Sequence, residues 1–345
     1  MRVLVCSDEV GGLTSAAAGR ALAQGWTGQR IAVVPLGEAG AGFVTSTADR
    51  LGVAEEPVVV GDRVGVRARG GALTAVTLPG PGPREGAVPY AASSLPLGRL
   101  VAETLPEHGA VLVDLVSDDV HDGGAGFLAG LGADADVDLT GGVAGLAGLS
   151  RLDLTGPRQR LAGLELVGVV RGTQRSTPLL GLRGITSVRG RAAEEDAEHL
   201  LAADGRLQQL ADLAGPGLGA TPGAGACGGT ALAVLTLGGR LTSGPELALD
   251  GIAGPVDLVV TGCSVFDFAH RGGGVVAAAA ALAGRLLAPC VVVAGEVLIG
   301  AREMRTMGIE GAYAVHETVP GSSAALVTRD ELTATAHRVA RTWRW

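Results

Sequence analysis

The stretch RVLVCSDEVGGLTSAAAGRALAQGW, Arg2 to Trp26, decides the fold. An apolar run too short for a helix, Arg2 to Cys6, enters the glycine turn SDEVGG, Ser7 to Gly12, and then an alanine-rich segment of helical character. Strand, glycine turn and helix in that order form the repeating unit of a parallel α/β sheet, and the turn is where such proteins place phosphate-binding and catalytic groups. This turn carries two acids, Asp8 and Glu9, and no cation.

The same alternation continues along the chain. Apolar runs at Ile31–Pro35, Val58–Val60, Ala110–Val116, Glu165–Val170, Asp257–Thr261, Cys290–Ala294 and Ala312–Val315 read as strands, and their continuous apolar character predicts burial on both faces. Between Gly61 and Leu78 the texture changes to a period-two pattern around Gly70-Gly71, which predicts a β-hairpin. The stretches PGPGPREGAVPY and LAGPGLGATPGAGACGGT read as loops or crossings, the second leading into a helix at about Gly228–Leu237. The expected architecture is α/β with two α/β domains. One is an open, mostly parallel, Rossmann/flavodoxin-like sheet built from 1–60 and 250–345, and the other a mixed α/β domain inserted over 61–249. Ligands in such folds bind at the carboxyl ends of strands, which directs the search to a cleft between the domains.

Composition narrows the chemistry. The chain has 345 residues and a net charge of -8, so a broad nucleic-acid surface is not expected. All 27 of its basic Lys and Arg positions are arginine, and asparagine is absent too. Without lysine there is no P-loop lysine and no Schiff base, so phosphate chemistry must use arginine, backbone amides, helix N-termini or a metal. The four cysteines, Cys6, Cys227, Cys263 and Cys290, show no CxxC pairing and read as small buried residues. The start lacks the length of a signal peptide, which predicts a reducing cytoplasm. The apolar stretch from Gly272 to Gly300 is broken by Arg285 and Pro289, and reads as a buried helix followed by a buried strand rather than a membrane span.

Glycine-bearing turns after the apolar runs are the candidates for chemistry: SDEVGG, PLGEAGAGF (Pro35–Phe43), SDDVHDGGAG (Ser117–Gly126), TPGAGACGGT (Thr221–Thr230) and TGCSVFD (Thr261–Asp267). Glycines there let a backbone approach a ligand and turn amides toward an anion. Asp8, Asp122 and Asp267 each stand at or just beyond a strand end, where a carboxylate can hold Mg²⁺ or accept a hydroxyl proton. For Asp122, before GGAGFLAGL, helix N-capping is the equal alternative. His121 and His270 are candidates for acid-base or hydrogen-bonding roles, and Arg271 for the phosphate cation, against the alternative of solvated surface residues.

Taken in order, these turns resemble the type I glycerate kinase family over nearly the whole chain. The family's PDSFKGSLSA is similar to the first turn, with Asp8, Gly12, Ser15 and Ala16 in register, and its PMADGGEGT to PLGEAGAGF, with Glu38, Gly40 and Gly42. GGSATNDGGAGML is similar to SDDVHDGGAGFL through Asp122, Gly123, Gly124, Ala125 and Gly126. NPLLGxxGA is similar to TPLLGLRGI, GAGAAGGLG to GAGACGGTA with Gly228 and Gly229, and DLVITGEGRLD to DLVVTGCSVFD with Thr261, Gly262 and Asp267. The resemblance implies ATP-dependent, Mg²⁺-assisted phosphorylation of glycerate or a related hydroxy acid. Asp8 and Asp267 would then be catalytic, and the other matching residues with Arg271 would bind substrate or nucleotide.

The departures concern charge. The family's first-turn lysine falls on Gly11, its later lysine on Gly274, and the acid and arginine of GEGRLD on Cys263 and Val265. Its PQKGA segment falls on RAAEE, Arg191 to Glu195, and acids replace the small residues of GGSATND. Each lost charge-stabilising donor costs about two to three orders of magnitude in rate. Three readings stand: a divergent kinase using Arg271 or Arg191, a non-catalytic descendant binding a small ligand or a partner protein, and a different phosphotransferase or sugar-acid enzyme on the same scaffold.

Overall fold

The computed structural model describes residues 1–80, 88–116, 119–316 and 326–344. Most of the proline-glycine loop expected after the hairpin, 81–87, lies outside the described residues, as do Ser117 and Asp118 of the third glycine turn.

Along the chain run β1 (Arg2–Ser7), β2 (Arg30–Pro35), β3 (Glu55–Val60), β4 (Arg63–Gly70), β5 (Leu73–Thr77), β6 (Gly109–Asp114), β7 (Asp134–Ala135), β8 (Leu152–Asp153), β9 (Leu164–Val169), β10 (Arg240–Thr242), β11 (Leu258–Asp267), β12 (Cys290–Leu298) and β13 (Gly311–Ala314). They divide between two compact units, one comprising 1–38, 45–52 and 244–345, the other 39–44 and 53–243.

The first unit holds a five-stranded sheet in the order β13-β12-β11-β1-β2, parallel throughout. The middles of β1, β11 and β12 are apolar and buried because both faces of the sheet are covered there. Val3 and Val5 face a core with Leu22, Leu332 and Val339, from the helices Ser15–Ala23 and Arg329–Thr342. Leu4 and Cys6 point the other way, toward Val275, Ala279 and Leu282 of the helix Gly273–Leu286. The order reverses between β1 and β11, so the carboxyl ends of these two strands flank the switch point of the sheet. The last helix starts with a capping box, Glu331 N–H donating to Thr328 Oγ1 and Thr328 N–H to the Glu331 carboxylate.

The second unit holds a six-stranded mixed sheet, β10-β9-β6-β5-β4-β3. The hairpin expected between Gly61 and Leu78 is β4 paired antiparallel with β5 around a turn at Gly71, while β5, β6, β9 and β10 are parallel. A two-stranded pair, β7 with β8, and the short β10 were not foreseen from their polar sequences.

Two expectations are corrected. The run Val58–Val60 was expected as a strand buried on both faces, but it ends the edge strand β3, where Val59 is 68% exposed. Glu55, Glu56 and Pro57 explain the position, since acids and proline protect an open sheet edge from further pairing. TGCSVFD was expected to be a turn, yet it continues β11 to Asp267. Strand β12 runs on beside it, pairing Val265 with Glu296 and Phe266 with Val297, and Phe266 is fully buried. The apolar stretch near the C-terminus is the helix Gly273–Leu286 followed by β12, and among the described residues no helix is long and apolar enough to cross a membrane. None of the four cysteines forms a disulfide among the described residues, and all are buried.

Candidate functional site

In the first unit the candidate residues lie at the carboxyl end of β1 and along β11 from Thr261 to Asp267. Asp8 leaves β1 directly after Ser7, and its N–H donates to the Gly262 carbonyl at 3.1 Å. Gly11 and Gly12 take φ of +54° and +88°, which turns the chain so that Thr14 can cap the next helix by accepting the Ala17 N–H. Ser15 is buried at the start of that helix. Gly262 is a packing glycine, since a Cβ there would stand 2.7 Å from Ser7 Oγ. The hydroxyl of buried Thr261, on β11, has no hydrogen-bond partner among the described residues.

The acids around this end differ in electrostatics. Burial raises the Asp8 carboxyl to about 6, helped by Glu38 and Glu9 and opposed by the Glu9 N–H that it accepts. Asp267 is held below the ordinary carboxylate range by the His270 ring, whose Nδ1 lies 3.0 Å away, and by the His270 N–H at 2.6 Å. The buried thiol of Cys263 is pushed up to about 12 by desolvation and then by Asp8 and Asp267. Asp8 therefore takes up a proton at a higher pH than Asp267, which is held ionised below the ordinary carboxylate range.

The positions where the resemblance would put lysines are filled from within. A Cβ on Gly11 would lie 2.5 Å from the backbone N of Val327, so this turn has no room for a side chain. At Gly274, in the first turn of the helix Gly273–Leu286, the N–H donates to the Glu38 carboxylate. That carboxylate sits where the helix end attracts negative charge. Arg271 has φ +52° and its guanidinium lies 5.8 Å from the centre of the exposed Phe268 ring, a cation–π contact. Among the described residues no three His, Cys, Asp or Glu side chains form a group able to hold a metal ion.

In the second unit the glycine motifs interlock. Gly123 N–H donates to Gly228 O at 3.1 Å, and a Cβ on Gly229 would stand 2.7 Å from Gly123 Cα. These glycines, with Gly124 at φ +82°, allow two backbones to touch. Asp122 is fully buried and accepts from Ser94 N–H at 2.7 Å, Ser94 Oγ at 2.8 Å, Gly124 N–H at 2.9 Å and Gly126 N–H at 3.0 Å. Burial pushes its carboxyl up against the pull of these donors. The capping alternative describes this geometry, since Asp122 ties the start of the helix Ala125–Gly130 to the Ser94 segment. His121 is also buried, with Nε2 3.1 Å from Thr186 Oγ1 and Nδ1 3.2 Å from Arg189. Arginine only donates, so Nδ1 accepts and Nε2–H donates to Thr186. Burial, then Arg189, lowers the ring to about 3. Gly42 is half-buried in the helix Ala41–Leu51, and Gly40 precedes that helix with φ +121°.

Sequence reasoning missed Asp114, the last residue of β6. It is 1% exposed and accepts the Gly40 N–H on both oxygens, at 3.1 and 3.0 Å. The signal was present: an acid inside the apolar run VLVDLV cannot be buried unpaired, so its presence calls for donors brought by the fold.

Strand-end acids at the switch point of a parallel sheet define an α/β protein of the doubly wound class. The chain belongs to the glycerate kinase family, whose sequence profile matches residues 3–344. Two uncharacterized mycobacterial proteins, from Mycobacterium bovis and Mycobacterium tuberculosis, are each 32% identical over 348 residues, covering 92% of this chain and 84% of their own length. The crystal structure of a candidate glycerate kinase 2 from Salmonella typhimurium LT2 is similar in fold, with a TM-score of 0.74 and 21% identity over 99% of this chain and 98% of that one.

Proposed function

We propose that this chain phosphorylates a hydroxyl of glycerate or a closely related small hydroxy acid, with Asp8 accepting the hydroxyl proton and Asp267 holding Mg²⁺. The observation that carries this reading is the opposed tuning of two carboxylates that both act on the Cys263 thiol, Asp8 raised to about 6 and Asp267 lowered. Titratable pairs driven apart in this way divide the roles of proton acceptor and fixed charge. A base near 6 is ionised at neutral pH and still basic enough to take a proton in the transition state. An oxygen ligand that stays ionised suits Mg²⁺, which keeps most of its waters and takes one or two carboxylates. ATP, when bound with Mg²⁺, supplies the phosphoryl group. The Gly11 turn and the Gly274 N–H offer it no seat, so the charge on the transferring group falls to the metal and to arginine. Turnover is accordingly slow.

A second reading, a family member that binds the hydroxy acid without phosphorylating it, is favoured by the closure of those same two seats. ADP release by the purified chain with D-glycerate, ATP and Mg²⁺ separates the two, run beside Asp8→Asn and Asp267→Ala. The kinase reading expects turnover that falls about 10²- to 10⁴-fold in Asp8→Asn. Turnover no greater than in the variants, together with calorimetric binding of glycerate in the absence of nucleotide, overturns it in favour of the second.

A further inference from the structure

Asp114 is an unusual residue to bury. Its carboxylate ends β6 in the middle of the second unit's sheet, between β5 and β9. An aliphatic side chain of similar size would avoid the desolvation cost of the acid. Three groups face it: Thr77 at the end of β5, whose hydroxyl donates to the carboxylate, the Arg171 charge just beyond β9, and the Gly40 N–H. The Gly40 N–H comes from the segment just before the helix Ala41–Leu51. Gly40 holds φ +121°, a conformation that L side chains rarely adopt, and Phe43 N–H closes the turn on the Gly40 carbonyl at 3.2 Å. The turn is held from within by the Phe43 N–H on the Gly40 carbonyl and from outside by Asp114 on the Gly40 N–H.

We infer that Asp114 is a positioning residue that fixes the glycine turn around Gly40, so that the segment carrying Gly40 and Gly42 meets a ligand in one backbone conformation. The use of that turn in ligand binding rests on the proposed hydroxy-acid reading, whereas the clamp itself stands on geometry alone. A carboxylate suits the task because an ionised acceptor makes a stronger hydrogen bond to an N–H than a neutral one does. Burial raises this carboxyl to about 7, so the grip on Gly40 weakens as the acid takes up a proton near neutral pH. The nearby Arg171 charge, the Thr77 hydroxyl and the Gly40 N–H pull the other way.

The test is the amide resonance of Gly40 in the ¹⁵N-labelled full-length chain, followed against pH in the wild type and in Asp114→Asn. The expected result is a Gly40 amide that titrates with a midpoint at about 7 in the wild type and is flat in the variant. With it, KM for the hydroxy acid rises about tenfold or more in Asp114→Asn while kcat changes less, as expected when a positioning contact is lost. A Gly40 amide that ignores both pH and the substitution overturns the inference. If Asp114→Asn fails to fold, the wild-type titration alone decides. A titrating Gly40 amide in a chain without any turnover supports the clamp and sinks the kinase reading, so the two failures are distinct.

Discussion

The backbone N–H of Val327 donates to the carbonyl of Gly11 at 2.9 Å, and a Cβ on Gly11 would lie 2.5 Å from that same nitrogen. The first glycine turn is therefore covered by the chain's own C-terminal segment at the place where the family resemblance puts a lysine.

Gly11→Lys is expected to destabilise the protein by about 2–4 kcal/mol, combining a left-handed backbone penalty with displacement of Val327. Thermal unfolding measures the loss. Nucleotide affinity is expected not to rise, and a variant that binds ATP more tightly at unchanged stability contradicts the covered turn.

Asp122→Ala is expected to cost about 3–5 kcal/mol, because it leaves the Ser94 hydroxyl and several N–H groups buried without their acceptor. Asp122→Asn keeps the shape but faces those N–H groups with an amide that can accept through only one atom, and should fall between. Urea denaturation with an unchanged m-value for both proteins places the loss in stability rather than in compactness. A loss under about 1 kcal/mol for the alanine variant would return Asp122 to the list of ligand-binding groups.

His121 predicts a pH dependence of stability. Its ring falls from the ordinary 6.5 to about 3 in the folded chain, so between those values the unfolded state binds a proton that the native state does not. Stability then rises with pH, is fully present above about 6.5 and is lost as pH falls through that window. Urea midpoints for the wild type and His121→Gln, compared at pH values above and inside the window, should show a steeper acid loss in the wild type, by about 2 kcal/mol.

Asp8 has the opposite sign. A carboxyl raised from 3.8 to about 6 is protonated in the native state where the unfolded state has already ionised, so its contribution declines as pH rises from the first value to the second. Catalysis requires the ionised form, so kcat/KM is expected to fall below pH 6 as stability from this group recovers. Asp8→Asn removes both slopes. An acid limb of the rate profile that persists in a residually active variant assigns the base to another residue.

Much of the fold is legible in local pattern. Apolar runs such as RVLVC and CVVVA are too short for helices and carry no polar face, so they read as strands covered on both sides, and the alanine-rich segments after them as the covering helices. The hairpin was marked by Gly70-Gly71 and a period of two. Less legible was TGCSVFD, whose glycine and cysteine look like a turn until β12 extends beside it and supplies ladder partners for Val265 to Asp267. Strand length there depends on a neighbour about thirty residues away, and no local window contains it.

The candidate site divides in the same way. Which residues carry charge, the lack of lysine, and the acids at strand ends were all determined by the sequence, because they are matters of chemical identity and of position relative to a local element. What those residues do to one another was decided only in three dimensions. Asp122 read equally as a ligand-binding acid or a helix cap, and His121 as a candidate or a solvated histidine, until burial gave each internal partners. Asp8 and Asp267 look alike in sequence, but Asp8 loses its water and gains acidic neighbours whereas Asp267 gains a histidine. Gly11 became a closed seat only when Val327, at the far end of the chain, packed against it. Desolvation, Coulombic neighbours and steric exclusion depend on distances between residues remote in sequence, and the folded backbone sets those distances.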